Sequence, residues 1–408
     1  MGGGLLQLVA YGAQDVYLTG NPQITFFKVV YRRHTNFAIE AIQQTFNGTP
    51  GYGNRVTCQI SRNGDLIHRM YLSVDMSANT TSNYCKYFGL RLVNFVEIEI
   101  GGQKVDKHYS HWMYIWNELS LPKSKKDGYK KMVGAAGGVL KDILHVPLEF
   151  WFCRNVGLAL PLIALQYHEV KVNINFETNE NCRGTAAVVG ALGPASLWVD
   201  YIFLDTDERR RFAQLSHEYL IEQLQFTGAD NVIGITNAGG TQMKPKLSFN
   251  HPCKELVWFC GTKFHDSDQF VNNNNWANYS TSILADNNVE YTPTSAITST
   301  NPIAKGKLVL NGNDRFSERP GSYFNLIQPF QHHENVPSNP GINVYSFALK
   351  PEEHQPSGTL NMSRIDTAVL NLDFNAITDS KTTSLYVYAV NYNVLRILSG
   401  MGGLAYSN

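Results

Sequence analysis

The sequence predicts an all-β chain of two similar antiparallel β-sandwiches in tandem, with short helices in the connections. Three observations support this prediction. Short segments recur in the same order in both halves of the 408-residue chain. Within them, apolar and polar residues alternate with the period of two that is typical of strands. Charged residues make up only 17% of the chain and aromatic residues 12%, which favours β-structure and surface hidden in contacts.

The repeat consists of four pairs of segments in the same order. The separation between partners varies only by loop-sized amounts, as expected when a whole domain has been duplicated. The alternative is that unrelated strands merely look alike. In chain order, the pairs are 60–63 with 247–250, 98–103 with 308–313, 172–176 with 370–374, and 196–199 with 384–387.

The segments have the pattern of strands joined by tight turns. In residues 170–176 and again in 368–374, every second residue is apolar, so one face of each strand is expected to face a core. The dipeptides Gly-Gly at 101–102 and Asn-Gly at 311–312 tolerate positive φ angles and predict type I′ hairpins. Residues 196–204 are apolar on both faces except for one aspartate, which predicts a central strand packed on both sides.

Long helices are scarce in the sequence. Residues 205–225 contain the best candidate, which Asp205 or Thr206 could cap, and they lie between the two repeats. A shorter helix is predicted within 111–119. Residues 264–301 are rich in Asn, Ser, Thr and Asp, which indicates long exposed loops.

The domain limits follow from these elements. Each half has about 180 residues of short strands and long loops, which fits a sandwich with Greek-key connections. The predicted parts are an N-terminal arm at 1–24, a first sandwich at 25–205, a connector at 206–218, a second sandwich at 219–400 and a C-terminal tail at 401–408.

The charge balance argues against packaging of a genome as the main task. The 34 basic residues equal the 34 acidic ones, whereas proteins that wrap nucleic acid carry a basic excess. One basic cluster stands out, and we interpret it as a solvated loop, with contact to an anionic partner as the alternative. Its members are Lys123, Lys125, Lys126, Lys130 and Lys131.

Cysteine usage and hydropathy predict a cytosolic folding environment and no membrane insertion. The six cysteines are scattered without a C-x-x-C pair, so we expect reduced thiols. The N-terminus lacks the pattern of a signal peptide, and its Gly-rich start lacks the Ser or Thr of a myristoylation site. The apolar stretch at 157–165 is too short to span a bilayer.

The sequence contains no recognisable catalytic motif, so we expect a protein that is not an enzyme and has no cofactor or metal. P-loop, nucleophile-elbow, zinc-protease and dinucleotide-binding patterns are absent. The histidines at 108 and 111, and the clusters at 332–334 and 352–354, are interpreted as surface or interface residues because adjacent strand residues chelate poorly. Glycosylation sequons occur at Asn47, Asn79, Asn278 and Asn361, of which Asn278 lies in the predicted exposed loop.

Several long segments resemble one family. The segments GAQDVYLTGNPQITFFK (12–28), YRRHTNFA (31–38), ISRNGDLI (60–67), GLALPLIALQYHEVK (157–171) and HEYLIEQLQFTG (217–228) occur in that order, and the chain ends in a matching MGGLAY. Together they resemble the major capsid proteins of chlorella viruses and related large DNA viruses. The resemblance covers essentially the whole chain.

The resemblance implies a tandem double jelly roll, two eight-stranded sandwiches whose homotrimer forms a pseudo-hexagonal capsomer of an icosahedral shell. Implied partners are neighbouring capsomers and minor capsid proteins beneath the shell, without direct nucleic-acid binding. The implied location is the outer capsid of the virion, after synthesis and assembly in the host cytoplasm. Covalent glycans are a further implied partner, because family members carry them on outward loops, often outside sequons.

Some alternatives stay open in the sequence. The candidate glycan sites are Asn278, Asn287 and Asn288, but the loop at 264–301 and the stretch at 376–383 depart from the family pattern. Divergent loops also fit a paralogue restricted to special shell positions. A carbohydrate-binding jelly-roll protein for host attachment and a cupin-like enzyme are the two other functions that a jelly roll supports.

Overall fold

The computed structural model describes residues 3–10, 12–184, 190–232, 241–262, 276–281, 301–375 and 383–406. The chain divides into two units, Met1–Asn36 and Phe37–Asn408. The first unit contains two short helices, α1 (Gly3–Val9) and α2 (Val16–Thr19). The second unit contains both sandwiches.

The first strand begins after the predicted start of the first sandwich. The first sandwich was expected to begin at residue 25, but the first strand begins at Phe37. Residues 25–36 form no strand, and the large apolar side chains among them are exposed.

The first sandwich consists of two antiparallel sheets. One has the strand order β1-β9-β3-β6 with β7 also pairing with β3, and the other has the order β2-β8-β4-β5. The strands are β1 (Phe37–Gln44), β2 (Arg55–Gln59), β3 (Leu66–Asp75), β4 (Val93–Ile100), β5 (Gln103–Tyr109), β6 (Ile143–Pro147), β7 (Leu160–Pro161), β8 (Val170–Phe176) and β9 (Ala195–Leu204).

The second sandwich repeats this plan. Its sheets have the orders β10-β21-β14-β18 and β12-β20-β15-β16, with shorter strands added at their edges. The strands are β10 (His217–Phe226), β11 (Asp230–Val232), β12 (Gln242–Met243), β13 (Lys246–Leu247), β14 (Pro252–Thr262), β15 (Ile303–Leu310), β16 (Asn313–Asp314), β17 (Arg319–Pro320), β18 (Asn343–Ser346), β19 (Leu360–Asn361), β20 (Ala368–Phe374), β21 (Thr383–Leu398) and β22 (Met401–Leu404).

The two strand orders correspond position by position. In sequence order, the first, last, third and sixth main strands of each half form one sheet, and the second, seventh, fourth and fifth form the other. This is the connectivity of a jelly roll, so the predicted duplication and the predicted all-β fold class are confirmed. The tail was expected to begin at 401, but β22 pairs with β21 and extends the sheet to Leu404.

The helices lie in connections, as the sequence predicted. Within the described residues of the second unit they are α3 (Phe88–Leu92), α4 (Ser110–Ser120), α5 (Lys123–Met132), α6 (Trp151–Arg154), α7 (Asn179–Cys182), α8 (Thr206–Gln214) and α9 (Gln328–His332). Short 3₁₀ turns cover Val156–Leu158 and Met362–Arg364, and a π-helical turn covers Tyr323–Ile327.

The local predictions around the connector and the hairpins are confirmed. The α8 helix begins after Asp205, whose side chain accepts a hydrogen bond from the backbone of Thr206. Both hairpin dipeptides have positive φ angles: 59° and 80° at 101–102, and 48° and 81° at 311–312. The central strand β9 lies between β1 and β3, with one face buried and the other mostly half-buried.

One predicted loop is a helix. The lysine cluster at 123–131 was interpreted as a solvated loop, but these residues form α5. Lysine is a good helix former, and Pro122 lies directly before the first turn, so local preferences favour a helix there. No α5 side chain is fully buried, which agrees with the solvated part of that interpretation.

Candidate assembly surfaces

A sheet face of the second sandwich and the α4 helix of the first form a central part of the contact between the two sandwiches. On one face of β14 and β21, the rings of Phe259 and Tyr386 stack with centroids 4.8 Å apart. The ring of His111 in α4 covers this stack at 5.1 Å from Phe259 and 5.4 Å from Tyr386. Beside it, Trp112 lies 5.7 Å from Tyr388. An aromatic cluster therefore joins the first sandwich to the second.

Hydrogen bonds reinforce this contact. The backbone nitrogen of Leu224 in β10 donates to the Asp106 carboxylate in β5 at 3.0 Å. The side-chain amide of Asn335 donates to the backbone carbonyl of Leu121 at 2.6 Å. Phe37–Asn408 forms a single compact unit, to which this apolar burial and these hydrogen bonds contribute. The two sandwiches therefore form one compact body.

A buried ionic cluster centred on Glu222 crosses the same interface. Its carboxylate lies 2.8 Å from the ammonium of Lys254 and 3.0 Å from the guanidinium of Arg154. Burial acts to raise the pKa of Glu222. A hydrogen bond from His354 and the charges of Lys254 and Arg154 outweigh burial and lower that pKa to about 2. The glutamate is therefore ionised and ties Arg154 of the first sandwich to the second.

A second buried cluster lies within the second sandwich. The ring of His333 lies between two carboxylates, 2.9 Å from Glu255 and 2.8 Å from Glu352. Burial acts to lower the pKa of His333, but the two carboxylates outweigh burial and raise it to about 9. An imidazolium at neutral pH thus holds the loop with Glu352 against strand β14.

The sequence indicated charged clusters at 332–334 and 352–354 but gave no sign that they form a buried ionic contact. We predicted surface or interface histidines there. In the structure, the side chain of His333 is fully buried. The missed signal was the presence of charged residues inside apolar strand segments, as at Glu222 and at Lys254 beside Glu255. Such residues are rarely buried unless they are paired.

The arm exposes an unusual amount of apolar surface. The large apolar residues that are exposed within residues 5–31 are Leu5, Leu6, Leu8, Val9, Val16, Tyr17, Leu18, Ile24, Phe26, Phe27, Val29, Val30 and Tyr31. Exposed apolar surface on this scale is typical of a site for interaction with another molecule.

A second exposed apolar surface lies on the second sandwich. Leu326 and Ile327 in the π-helical turn and Phe330 in α9 are 50%, 45% and 79% exposed, and we call these three residues the apolar ridge. The spacing of i, i+1 and i+4 places them on one side of the helical segment. Phe324 of the same segment points inward and packs 5.1 Å from Trp258.

The candidate glycan sites have different outcomes. Asn278 was expected in an exposed loop, but its side chain is buried and its carbonyl oxygen accepts hydrogen bonds from the backbone and hydroxyl of Ser280. The expected exposure is therefore wrong, because this stretch packs against the interface aromatics around His111. Asn287 and Asn288 lie outside the described residues.

The other sequons differ in exposure. Asn47 and Asn361 are exposed, whereas Asn79 is half-buried. The side-chain amide of Asn79 donates to the backbone carbonyls of Ser82 and Leu140 at 3.1 and 2.8 Å. Its amide is thus engaged in holding two loop segments together.

The described parts of the chain were searched for reactive thiols, metal-binding clusters and membrane-spanning helices. All six cysteines are buried and unbridged, and burial raises the pKa of Cys58 to about 11 and of Cys260 to about 12. Among the described residues, no cluster of His, Cys, Asp or Glu could hold a metal ion. Within those residues, no helix has the length and hydropathy required to cross a bilayer.

Two family models match consecutive parts of the chain. The model described as "Major capsid protein N-terminus" matches residues 25–205, and the model described as "Large eukaryotic DNA virus major capsid protein" matches residues 208–403. The major capsid protein of Pyramimonas orientalis virus is 52% identical to the chain, with full coverage of both proteins. The chain belongs to the major capsid protein family of large eukaryotic DNA viruses.

Other relatives support this assignment. The major capsid protein of Paramecium bursaria Chlorella virus 1 is 46% identical over the full length of both proteins. The crystal structure of PBCV-1 VP54 superimposes with a TM-score of 0.79 at 41% identity, covering 94% of this chain and all of that one. The Faustovirus major capsid protein shares the fold, with a TM-score of 0.75 at 14% identity. The chain is thus a structural capsid protein of the virion shell and not an enzyme.

Proposed function

We propose that three copies of the chain assemble into a pseudo-hexagonal capsomer and that such capsomers tile an icosahedral shell. The duplicated fold carries this proposal. Three chains with two matching sandwiches each present six similar lobes, which is the outline that packs on a hexagonal lattice. Closed rings of this kind arise when a head-to-tail contact repeats with a rotation that closes.

The arm is proposed to bind neighbouring capsomers and minor capsid proteins beneath the shell. Its support is the exposed apolar surface of residues 5–31, which an isolated subunit leaves in water. Capture of the arm by a partner would remove this surface from water and add affinity to shell contacts.

Assembly is proposed to take place in the host cytoplasm. Six free and buried thiols suit a reducing compartment, because disulfides form mainly in oxidising ones.

Glycan attachment stays a prediction for Asn287 and Asn288. The near-zero formal charge supports partners other than nucleic acid.

Light scattering after gel filtration of the full-length protein tests the proposed oligomer. We expect a species of three times the chain mass of 45.8 kDa that persists in moderate salt. Apolar burial should dominate an obligate interface, and such contacts resist salt better than charge pairs do. A stable monomer or dimer over the whole working range of concentration would overturn the proposal. A count of copies per virion separates a main coat protein from a specialised capsomer.

A further inference from the structure

The duplicated sheets carry equivalent aromatic pairs. In the second sandwich, Phe259 of β14 pairs in register with Tyr386 of β21, and their rings stack with an interplanar angle of 3°. In the first sandwich, Tyr71 of β3 pairs with Trp198 of β9, with centroids 6.3 Å apart and an interplanar angle of 5°. Because β3 corresponds to β14 and β9 to β21, the two stacks occupy the same place in the repeat.

The two stacks are covered to different extents. Phe259 is fully buried beneath the rings of His111 in α4 and of Tyr279, and Tyr386 beside it is half-buried. Tyr71 and Trp198 are only half-buried. Ile39 of β1 and Ile143 of β6 lie on the same side of that sheet and are 50% and 51% exposed. We call the surface formed by Tyr71, Trp198, Ile39 and Ile143 the aromatic face.

The helices that follow the fifth strands differ in the same way. The α4 helix lies between β5 and β6 and is buried along nearly its whole length, because the second sandwich covers its outer side. The segment from Tyr323 to His332 lies at the corresponding place, between β16 and β18. Its outer side carries the exposed apolar ridge. One copy of the helix thus has an intramolecular partner, while its duplicate presents apolar side chains to solvent.

We infer that the aromatic face of one copy docks onto the apolar ridge of the next copy. This contact repeats between chains the contact that α4 makes with the Phe259 stack inside the chain. This inference rests on the proposed trimer and identifies the two surfaces through which neighbouring chains would meet. The contact is head-to-tail, since the two surfaces are different, and a rotation that repeats along the six sandwiches closes the ring.

Chemical cross-linking between differently tagged chains tests the docking. One chain carries Gln43→Cys, which lies exposed beside Trp198 on the aromatic face, and the other carries Phe330→Cys on the apolar ridge. The six native cysteines are buried, so a short bis-maleimide should react with the added thiols. We expect cross-linked pairs that contain both tags in the trimer fraction. The matched control combines Gln43→Cys with Asn313→Cys, an exposed residue of β16 outside the apolar ridge, and should give none.

The outcomes separate the docking from the trimer. A trimer that cross-links no better through Phe330→Cys than through Asn313→Cys would overturn the inferred docking and leave the trimer standing. Absence of any trimer of the unsubstituted chain would overturn the proposed function instead.

A charged substitution tests the same contact by affinity. Phe330→Asp should raise the protein concentration at which the trimer dissociates by roughly tenfold or more, because buried aromatic anchors carry much of the energy of an interface. Phe330 is 79% exposed in the subunit, so its circular dichroism spectrum and melting temperature as a monomer should be preserved. Tyr167→Asp, at a 75% exposed site on the first sandwich, is the control that should leave trimerisation unchanged. A Phe330→Asp trimer as stable as the control trimer would contradict the inference.

Discussion

Removal of the charge of the buried Glu222 carboxylate should lower the free energy of unfolding more than removal of an exposed charge does. Its pKa falls from 4.5 to about 2, a difference worth about 3 kcal/mol because each pKa unit corresponds to ~1.4 kcal/mol. Glu222→Gln keeps the shape of the side chain but leaves the ammonium of Lys254, which is 1% exposed, without a countercharge. Breaking a buried pair in this way typically costs ~3–5 kcal/mol. We therefore expect a loss of about 3 kcal/mol at pH 7.

The assay is urea unfolding followed by tryptophan fluorescence at fixed protein concentration. Glu218→Gln is the matched control, because Glu218 lies on the same strand and pairs with Arg396 at 2.8 Å, but its side chain is 60% exposed. An exposed pair contributes at most about 1 kcal/mol. If the two variants lose the same stability, the buried cluster does not hold the sandwiches together and the reasoning is refuted.

The pH dependence of the same variant gives an independent check. A carboxylate whose pKa is lowered by folding contributes stability above its unfolded pKa of 4.5, and this contribution disappears as the pH falls towards 2. The native chain should therefore lose stability across this acidic window more steeply than Glu222→Gln. Parallel curves for the two proteins would contradict the assignment.

Three further predictions concern other parts of the chain. Folding raises the pKa of His333 from 6.5 to about 9, so its protonated ring contributes its full stability below pH 6.5 and loses it as the pH rises through 9. The melting temperature should therefore fall over this range, and it should fall less in His333→Gln. Deleting residues 1–36 should leave the melting transition of the sandwiches intact but weaken incorporation into shells, and failure to fold would contradict this. Gly102→Ala, at φ 80° in open space, should lower the free energy of unfolding by about 1 kcal/mol. The control Gly128→Ala in α5 should leave it unchanged or raise it by up to ~1 kcal/mol. Equal effects of the two substitutions in chemical unfolding would contradict the role of the turn.

The parts of the fold that the sequence predicted depend on local physics. A period of two, two-residue turns and a capping aspartate each act within a few residues, so β8, β20, the hairpin at Gly101-Gly102 and the start of α8 could be predicted. The repeat of these local signals revealed the duplication.

The parts that could not be predicted depend on partners far apart in the chain. Glu222 meets Lys254 and Arg154 across 32 and 68 residues, and no local pattern announces such a pairing. Asn278 lies in a polar stretch that suggests exposure, yet its surroundings come from the first sandwich. The start of the first strand at Phe37 likewise depends on pairing with β9, more than 150 residues further along the chain.

A cryo-electron microscopy reconstruction of the purified full-length oligomer tests the central claim most directly. We expect a three-fold particle with six similar lobes, in which each first sandwich places its aromatic face on the apolar ridge of the next chain. A two-fold particle, or a three-fold particle in which the aromatic face is left in solvent, would contradict it.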